Sequence, residues 1–195
     1  SLSKELLERG FTRILVVEMP KQRSSMHLDT VFTLADWDTA VVYGPLLKRG
    51  GREEANVFRV RNSQGEMVVD AMEGDLMDAL AQEGHPMRVV LCGNGHPLHE
   101  EREQWTDGSN FVALGPGIVL GYARNVHTAQ AMSDAGFTPI SAADFLTLFQ
   151  SRFGGRYEDL ADSRERYLIQ ITGSELSRGR GGPRCLTMPL LRDAG

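Results

Sequence analysis

The chain has 195 residues, 41% of them hydrophobic and 24% charged, the composition of a globular protein that can bury a core of its own. Asp+Glu number 26 against Lys+Arg 21, a formal net charge of −5, so no general basic surface offers itself to nucleic acid. Two cysteines, Cys92 and Cys185, exclude a disulfide scaffold and point to a reducing, cytoplasmic setting. Residues 1–10 scatter charges and show no apolar signal core, and no run is long enough to span a bilayer, so neither secretion nor a membrane is expected.

Residues 1–10 read as a short helix with Leu2, Leu6 and Leu7 on one face and Gly10 as its stop. The apolar run 13–19 is predicted to be a buried strand, and the polar loop 20–25 leads into Met-His-Leu-Asp-Thr-Val-Phe-Thr at 26–33. Read as a strand, that stretch puts His27 and Asp29 on the same side. Short β-rich runs follow at 30–35 and 39–43, then at 56–61 and 66–70, the last two split by the turn signal Asn-Ser-Gln-Gly at 62–65. Leu76, Met77 and Leu80 give 73–82 a helical spacing, and 88–92 returns as a strand. A hairpin is predicted from 110–114 and 117–122 around Gly115-Pro116, then a helix over 126–135 closed by Gly136, and an extended segment over 137–140. Residues 142–153 carry a helical apolar pattern, 154–166 are polar and charged, and 167–172 read as a strand. A strand-strand-helix-strand order therefore occurs at least twice, which predicts α/β units stacked about a common centre rather than a doubly wound sheet. A chain that opens one helix before a strand, without a methionine start, reads as a fragment cut at a boundary.

The most informative stretch is Gly-Ser-Glu-Leu-Ser-Arg-Gly-Arg-Gly-Gly-Pro-Arg-Cys at 173–185. Glycine permits positive φ and close approach of a ligand, so the run reads as a shaped loop. The apolar segment 186–191 follows at once, placing Cys185 where loop becomes strand. Arg178, Arg180 and Arg184 surround the sulfur with positive charge, which favours thiolate over thiol and suits a nucleophile. Set against this, a lone cysteine after a surface loop is often inert. His-x-Asp taken alone is common, and usually means a satisfied edge histidine.

Together, 26–33, the segment Glu-Arg-Glu-Gln-Trp-Thr-Asp-Gly-Ser-Asn at 101–110 and the loop 173–190 closely resemble the C-terminal half of the arginine deiminase family, among the guanidine-modifying pentein enzymes. The resemblance implies an α/β fold, a partial propeller of repeated ββαβ modules, with 1–195 as one domain and 142–166 as an insertion. It implies Cys185 as the nucleophile on the guanidinium carbon of L-arginine and His27 as acid to the departing ammonia, then base to water. Asp29 would hold the substrate guanidinium through paired N–H···O bonds, or else merely orient His27. Arg180 would pair with the substrate α-carboxylate, with Gly179 beside it lending backbone. For Arg178 and Arg184, electrostatic support or plain solvent exposure suffices.

Cys-Gly-Asn-Gly-His-Pro-Leu-His at 92–99 resembles a Cys/His metal cluster, but zinc sites show two well-spaced pairs, so no metal and no cofactor is expected. The Ser-Arg-Gly-Arg-Gly-Gly run at 177–182 lacks the Gly-Lys-Ser/Thr ending of a phosphate loop. The Glu-Arg-Glu-Gln-Trp signature is expected to order the rim of the site. The family's further guanidinium-binding carboxylates precede 26–33, so the missing N-terminal half of the same protein is an expected partner and the isolated chain is expected to be inactive. A truncated interaction module, pairing through open strand edges with a partner or a second copy, is the alternative. So is a sister amidinotransferase or methylarginine hydrolase.

Overall fold

The turn signalled by Asn62 forms as the sequence predicts: Gln64 and Gly65 sit at φ 54° and 88°, the paired positive values a two-residue type I′ hairpin requires. The Gly65 N–H donates to Asn62 Oδ1 at 2.9 Å. The molecule is known from a computed structural model describing residues 1–173 and 175–190. Its elements in chain order are α1 (Leu2–Glu8), β1 (Arg13–Glu18), β2 (Phe32–Asp36), β3 (Thr39–Val42), α2 (Gly44–Leu47), β4 (Asn56–Ser63), β5 (Glu66–Ala71) and α3 (Leu76–Gln82). There follow β6 (Arg88–Leu91), α4 (Pro97–Trp105), β7 (Val112–Gly115), β8 (Ile118–Tyr122), α5 (Val126–Asp134), β9 (Thr138–Ser141), α6 (Ala142–Phe153), α7 (Tyr157–Asp162) and β10 (Tyr167–Ile171). They divide between two units, residues 1–28 with 45–87, and residues 29–44 with 88 onward.

The first unit carries the antiparallel sheet β1-β4-β5. β1 is half-buried rather than buried, because it lies at the sheet edge with Arg13 and Glu18 exposed at its ends. Helix α3 starts later than the predicted residue 73 because Asp75 caps it. The Asp75 carboxylate accepts from the N–H groups of Met77 and Asp78, and Asp78 reaches back to the Asp75 N–H at 3.1 Å.

The second unit holds the other two sheets, β2-β3-β6 and β7-β8-β10-β9. β6 follows β4, β5 and α3 in the chain, yet it pairs in parallel with β3. The predicted strand-strand-helix-strand run is therefore not one sheet. The reason lies in β3: Ala40, Val41 and Val42 are fully buried, and a strand covered on both faces needs ladder bonds on both edges. Each sheet of this unit thus contains an antiparallel pair whose second strand takes a parallel partner, β6 for β3 and β10 for β8. The three sheets are small and mixed with helices, and none closes into a barrel among the described residues.

The inner parallel strands β8 and β10 are covered on both sides, as parallel sheets require. Val119 and Leu168 pack with Ala129 and Met132 of α5, whereas Ile118, Tyr167 and Ile169 pack with Phe145, Phe153 and Leu160 of α6 and α7. The α6–α7 pair, within the stretch singled out at 142–166, is the crossover between parallel β9 and β10. Its first helix has the bounds the apolar pattern predicts. Ser141 accepts from the Asp144 N–H, and Gly154 ends the helix at φ 60°. No helix among the described residues is long and apolar enough to cross a membrane.

Candidate active site

The second unit assembles its site on α4, which sequence periodicity does not reveal. Pro97 occupies its first turn, and the face it buries is polar: Glu100, Glu103 and Gln104. A tight turn leads in, with Gly93, Asn94 and Gly95 all at positive φ. At Gly93 a Cβ would lie 2.2 Å from the Glu100 nitrogen, so only glycine fits beneath the helix.

Glu103 spans from α4 to the start of α5. Its carboxylate accepts from the backbone N–H groups of His127 and Thr128 at 2.8 and 2.7 Å, and from Thr128 Oγ1 at 2.6 Å. Asn125, the N-cap of α5, makes no side-chain cap bond, so Glu103 satisfies that terminus from another helix and places a negative charge at the positive end of its dipole. The ordering role expected of Glu-Arg-Glu-Gln-Trp has its physical basis here.

After α4 the chain turns through Asp107, at φ 62°, to Asn110, which is wholly buried. Asn110 Nδ2 donates to the Asp29 carbonyl at 2.6 Å, and Asn110 Oδ1 accepts from the Cys185 N–H at 3.3 Å. Two segments 156 residues apart meet across this one amide, with Cys185 Sγ 3.9 Å from Asp29 Oδ2. Asp29 Oδ1 is buried and has no hydrogen-bond partner among the described residues. Gly182 fits against Asn110 only because it lacks a side chain, since a Cβ there would lie 2.3 Å from Asn110 Oδ1.

Neither predicted strand at these positions forms. Asp29 lies in a 3-10 turn, Leu28–Thr30, and β2 begins only at Phe32. Strand alternation therefore does not relate His27 to Asp29. Cys185 lies in a turn over 183–186, and 186–190 contain no strand; Leu191, the end of the predicted strand, lies outside the described residues, as does Ser174 of the loop. In both turns the Asn110 amide supplies bonds that a local reading cannot see.

The electrostatics also differ from expectation. Burial raises the Cys185 thiol pKa above its ordinary value, and the charges of Asp29 and Asp107 raise it further, against the weaker pull of the Gly182 and Asn110 hydrogen bonds. The arginines that were to favour thiolate face carboxylates or backbone rather than the sulfur. Arg178 pairs with Glu175 at 3.3 Å on the surface, and Arg184 Nε lies 3.6 Å from Asp29 Oδ2. The sign is testable: Asp29→Asn removes the largest negative charge beside the sulfur and should lower the Cys185 pKa. The pH dependence of iodoacetamide alkylation, followed by mass spectrometry, should move to lower pH; a shift upward or none would show that Asp29 does not govern the thiol.

Arg180, at φ 62°, folds back onto α4. Its guanidinium lies 4.6 Å from the centroid of the Trp105 ring, and one nitrogen donates to the Gln104 carbonyl at 2.9 Å. Next to it, the Gly181 N–H donates to Asp107 Oδ2 at 3.3 Å, and the Gly181 carbonyl accepts from the Tyr122 hydroxyl at 2.8 Å. Burial raises the Asp107 carboxyl pKa, partly opposed by Arg180. Gly179 closes the 3-10 turn Leu176–Gly179 and is exposed. These contacts fix the loop ahead of the cysteine, and sequence reasoning assigned no role to Asp107 or Asn110. The signal was present, since both stand in the Thr-Asp-Gly-Ser-Asn stretch that carries the resemblance.

His27 is exposed in the first unit, one residue ahead of the Leu28–Thr30 turn. Cys92 is buried beneath α4, where burial pushes its thiol up to about 12, and its sulfur lies 3.6 Å from Thr128 Oγ1. It is a core thiol. His99 stacks on His127 with centroids 3.6 Å apart, and His96 lies tilted against His99 at 4.5 Å. Among the described residues no group of three His, Cys, Asp or Glu side chains is placed to hold a metal ion.

A mixed α/β frame thus holds an exposed thiol beside a half-buried carboxylate, an arrangement suited to a cationic carbon electrophile. The arginine deiminase family model matches residues 1–192, and the chain belongs to that family. It is 33% identical over 186 residues to the arginine deiminase of Streptococcus gordonii, covering 94% of this chain and 37% of that protein. The arginine deiminase of Latilactobacillus sakei subsp. sakei is 32% identical over 186 residues, 94% of this chain and 38% of that protein. Arginine deiminase 1 of Staphylococcus epidermidis is 33% identical over 187 residues, with the same two shares. The chain spans less than two fifths of the length of these relatives.

Proposed function

We propose that this chain is the C-terminal catalytic part of a cytoplasmic arginine deiminase, hydrolysing L-arginine to L-citrulline and ammonia. The observation that carries the reading is the approach of Cys185 Sγ to within 3.9 Å of Asp29 Oδ2, with the second carboxylate oxygen buried and unpartnered among the described residues. A carboxylate alone beside a thiol hinders its ionisation. A planar cation held by that carboxylate removes the penalty and presents its carbon to the sulfur.

The Cys185 thiolate adds to the guanidinium carbon, and the thiol proton goes to solvent. His27 protonates the departing nitrogen, ammonia leaves, and a thiouronium remains on sulfur. His27 then takes a proton from water, which adds to the same carbon; the C–S bond breaks, and citrulline leaves. Arg180 receives the α-carboxylate while Gly179 contributes backbone at the same loop. Neither metal nor cofactor enters these steps.

In this reading residues 1–195 form one domain, part of a propeller of ββαβ modules, with 142–166 as an insertion. Relatives more than twice as long would supply the remaining guanidinium-binding carboxylates from the portion this chain does not span. Deleting charged partners of a buried, doubly bonded cation costs several kcal/mol. The isolated 195-residue chain is therefore expected to give little or no citrulline in a colourimetric assay, and a protein that includes the N-terminal half is expected to turn over arginine. Robust turnover by the isolated chain would overturn the requirement for a second half. No turnover by the longer protein, with arginine or other guanidines, would overturn the activity.

A further inference from the structure

We propose that Asn110 is the positioning residue of this site: its side-chain amide fixes the nucleophile-bearing turn and the carboxylate-bearing turn at the spacing one guanidinium bridges. The inference rests on the reading of Cys185 and Asp29 given above and adds a residue to it. The chemistry of the two contacts is specific. Asn110 donates through Nδ2 to the Asp29 carbonyl at 2.6 Å and accepts through Oδ1 from the Cys185 N–H at 3.3 Å. A primary amide presents a donor NH2 group and an acceptor carbonyl oxygen side by side, and each is used. An aspartate would set oxygen against the Asp29 carbonyl oxygen, and alanine would leave both backbone groups without their partner.

Size is constrained as tightly as polarity. Asn110 is wholly buried, and Gly182 passes so close that a Cβ would lie 2.3 Å from Asn110 Oδ1 and 2.6 Å from Asn110 Cβ. No room remains for the extra methylene of glutamine. The frame behind Asn110 is rigid: its N–H donates to the Asp107 carbonyl at 3.1 Å, and the neighbouring Ser109 carbonyl accepts from Thr33 Oγ1 at 2.6 Å. Thr33 belongs to β2, the strand that leads out of the Asp29 turn. The amide is thus held by the same strand whose preceding turn it holds, and Cys185 is the segment that must come to it. The proposed consequence is a fixed distance from Sγ to Oδ2, which sets how well the site distinguishes a cation from a neutral group of the same shape.

The test compares Cys185 alkylation by 2-chloroacetamidine, a cation, with alkylation by neutral 2-chloroacetamide. In each case an S–C bond forms, chloride leaves and the thiol proton passes to solvent. Labelling of the full chain is followed by mass spectrometry, both rates are scaled to those of a small free thiol, and Cys185→Ala corrects for Cys92. The native chain should prefer the amidine by about fivefold, the upper value of a partly exposed charge contact. In Asn110→Ala and Asn110→Asp that preference should fall to within about twofold of the free thiol while the cooperative thermal transition persists. Asn110→Asp keeps the side-chain volume and decides the matter if the alanine variant does not fold. Native-like preference in a folded Asn110 variant would overturn the positioning role. No preference in the native chain, or a preference that survives in Asp29→Ala, would instead overturn the assignment of Asp29 on which the inference rests.

Discussion

Cys185→Ala, made in a protein that includes the N-terminal half, is expected to abolish citrulline formation, a fall of about 10⁴-fold or more. The guanidinium is a poor electrophile because its positive charge is delocalised over three nitrogens, so only a strong nucleophile adds to its carbon at a useful rate. Cys185→Ser should lose nearly as much, since a serine hydroxyl is far harder to ionise than a thiol. Neither change should disturb the fold. Cys185 is exposed, its backbone N–H keeps Asn110 as partner, and surface substitutions of this kind usually lie within about 0.5 kcal/mol. Citrulline release, measured beside the melting temperature, separates the two effects. A folded alanine variant with native activity would remove Cys185 from the mechanism.

Glu103→Ala should produce the largest loss of stability of any single change near the site, about 3–5 kcal/mol by urea denaturation. The substitution removes one carboxylate and strands three donors at once: the N–H groups of His127 and Thr128 and the Thr128 hydroxyl. It also removes the negative charge facing the start of α5 in a buried setting, where water replaces it poorly. Glu103→Gln keeps one acceptor oxygen and should lose about half as much. A midpoint unchanged in the alanine variant would show that α5 does not depend on this carboxylate. Activity should fall with stability, since α4 also supplies Trp105 and the Gln104 carbonyl that hold Arg180.

Much of the fold is legible wherever apolar residues recur at a regular spacing. The helix at 142–153 has its predicted ends because Ser141 and Gly154 cap an amphipathic run, and the turn at Asn62 declares itself through residues that tolerate positive φ. α4 escapes this kind of reading. Its buried face is Glu100, Glu103 and Gln104, so hydrophobic periodicity has nothing to detect, and only Pro97 at its start hints at a helix. The pairing of β6 with β3 escapes for another reason, since the choice of neighbour depends on which strand edge is left open after the β2–β3 hairpin forms. The pairing of Cys185 with Asp29 could be anticipated from the sequence through the resemblance, but their conformations could not. Both were expected on strands, and both lie in turns that the Asn110 amide clasps from more than 70 residues away. The thiol's reluctance to ionise is equally non-local. Counting nearby arginines in the chain suggests the opposite sign, because it omits the burial of the thiol and the carboxylates that folding brings beside the sulfur.

The strand order β7-β8-β10-β9 has a consequence for synthesis. A ribosome releases β8 and β9 well before β10, yet the two cannot join, because the place between them belongs to a segment still to be translated. Until Tyr167–Ile171 emerges, Ile118, Phe145 and Phe153 lack the strand they pack against, and the nascent polypeptide carries a slot open to any stray extended segment. Only once that slot is filled does the segment carrying Cys185 follow, so the thiol meets Asp29 last, after the centre of the sheet has been closed.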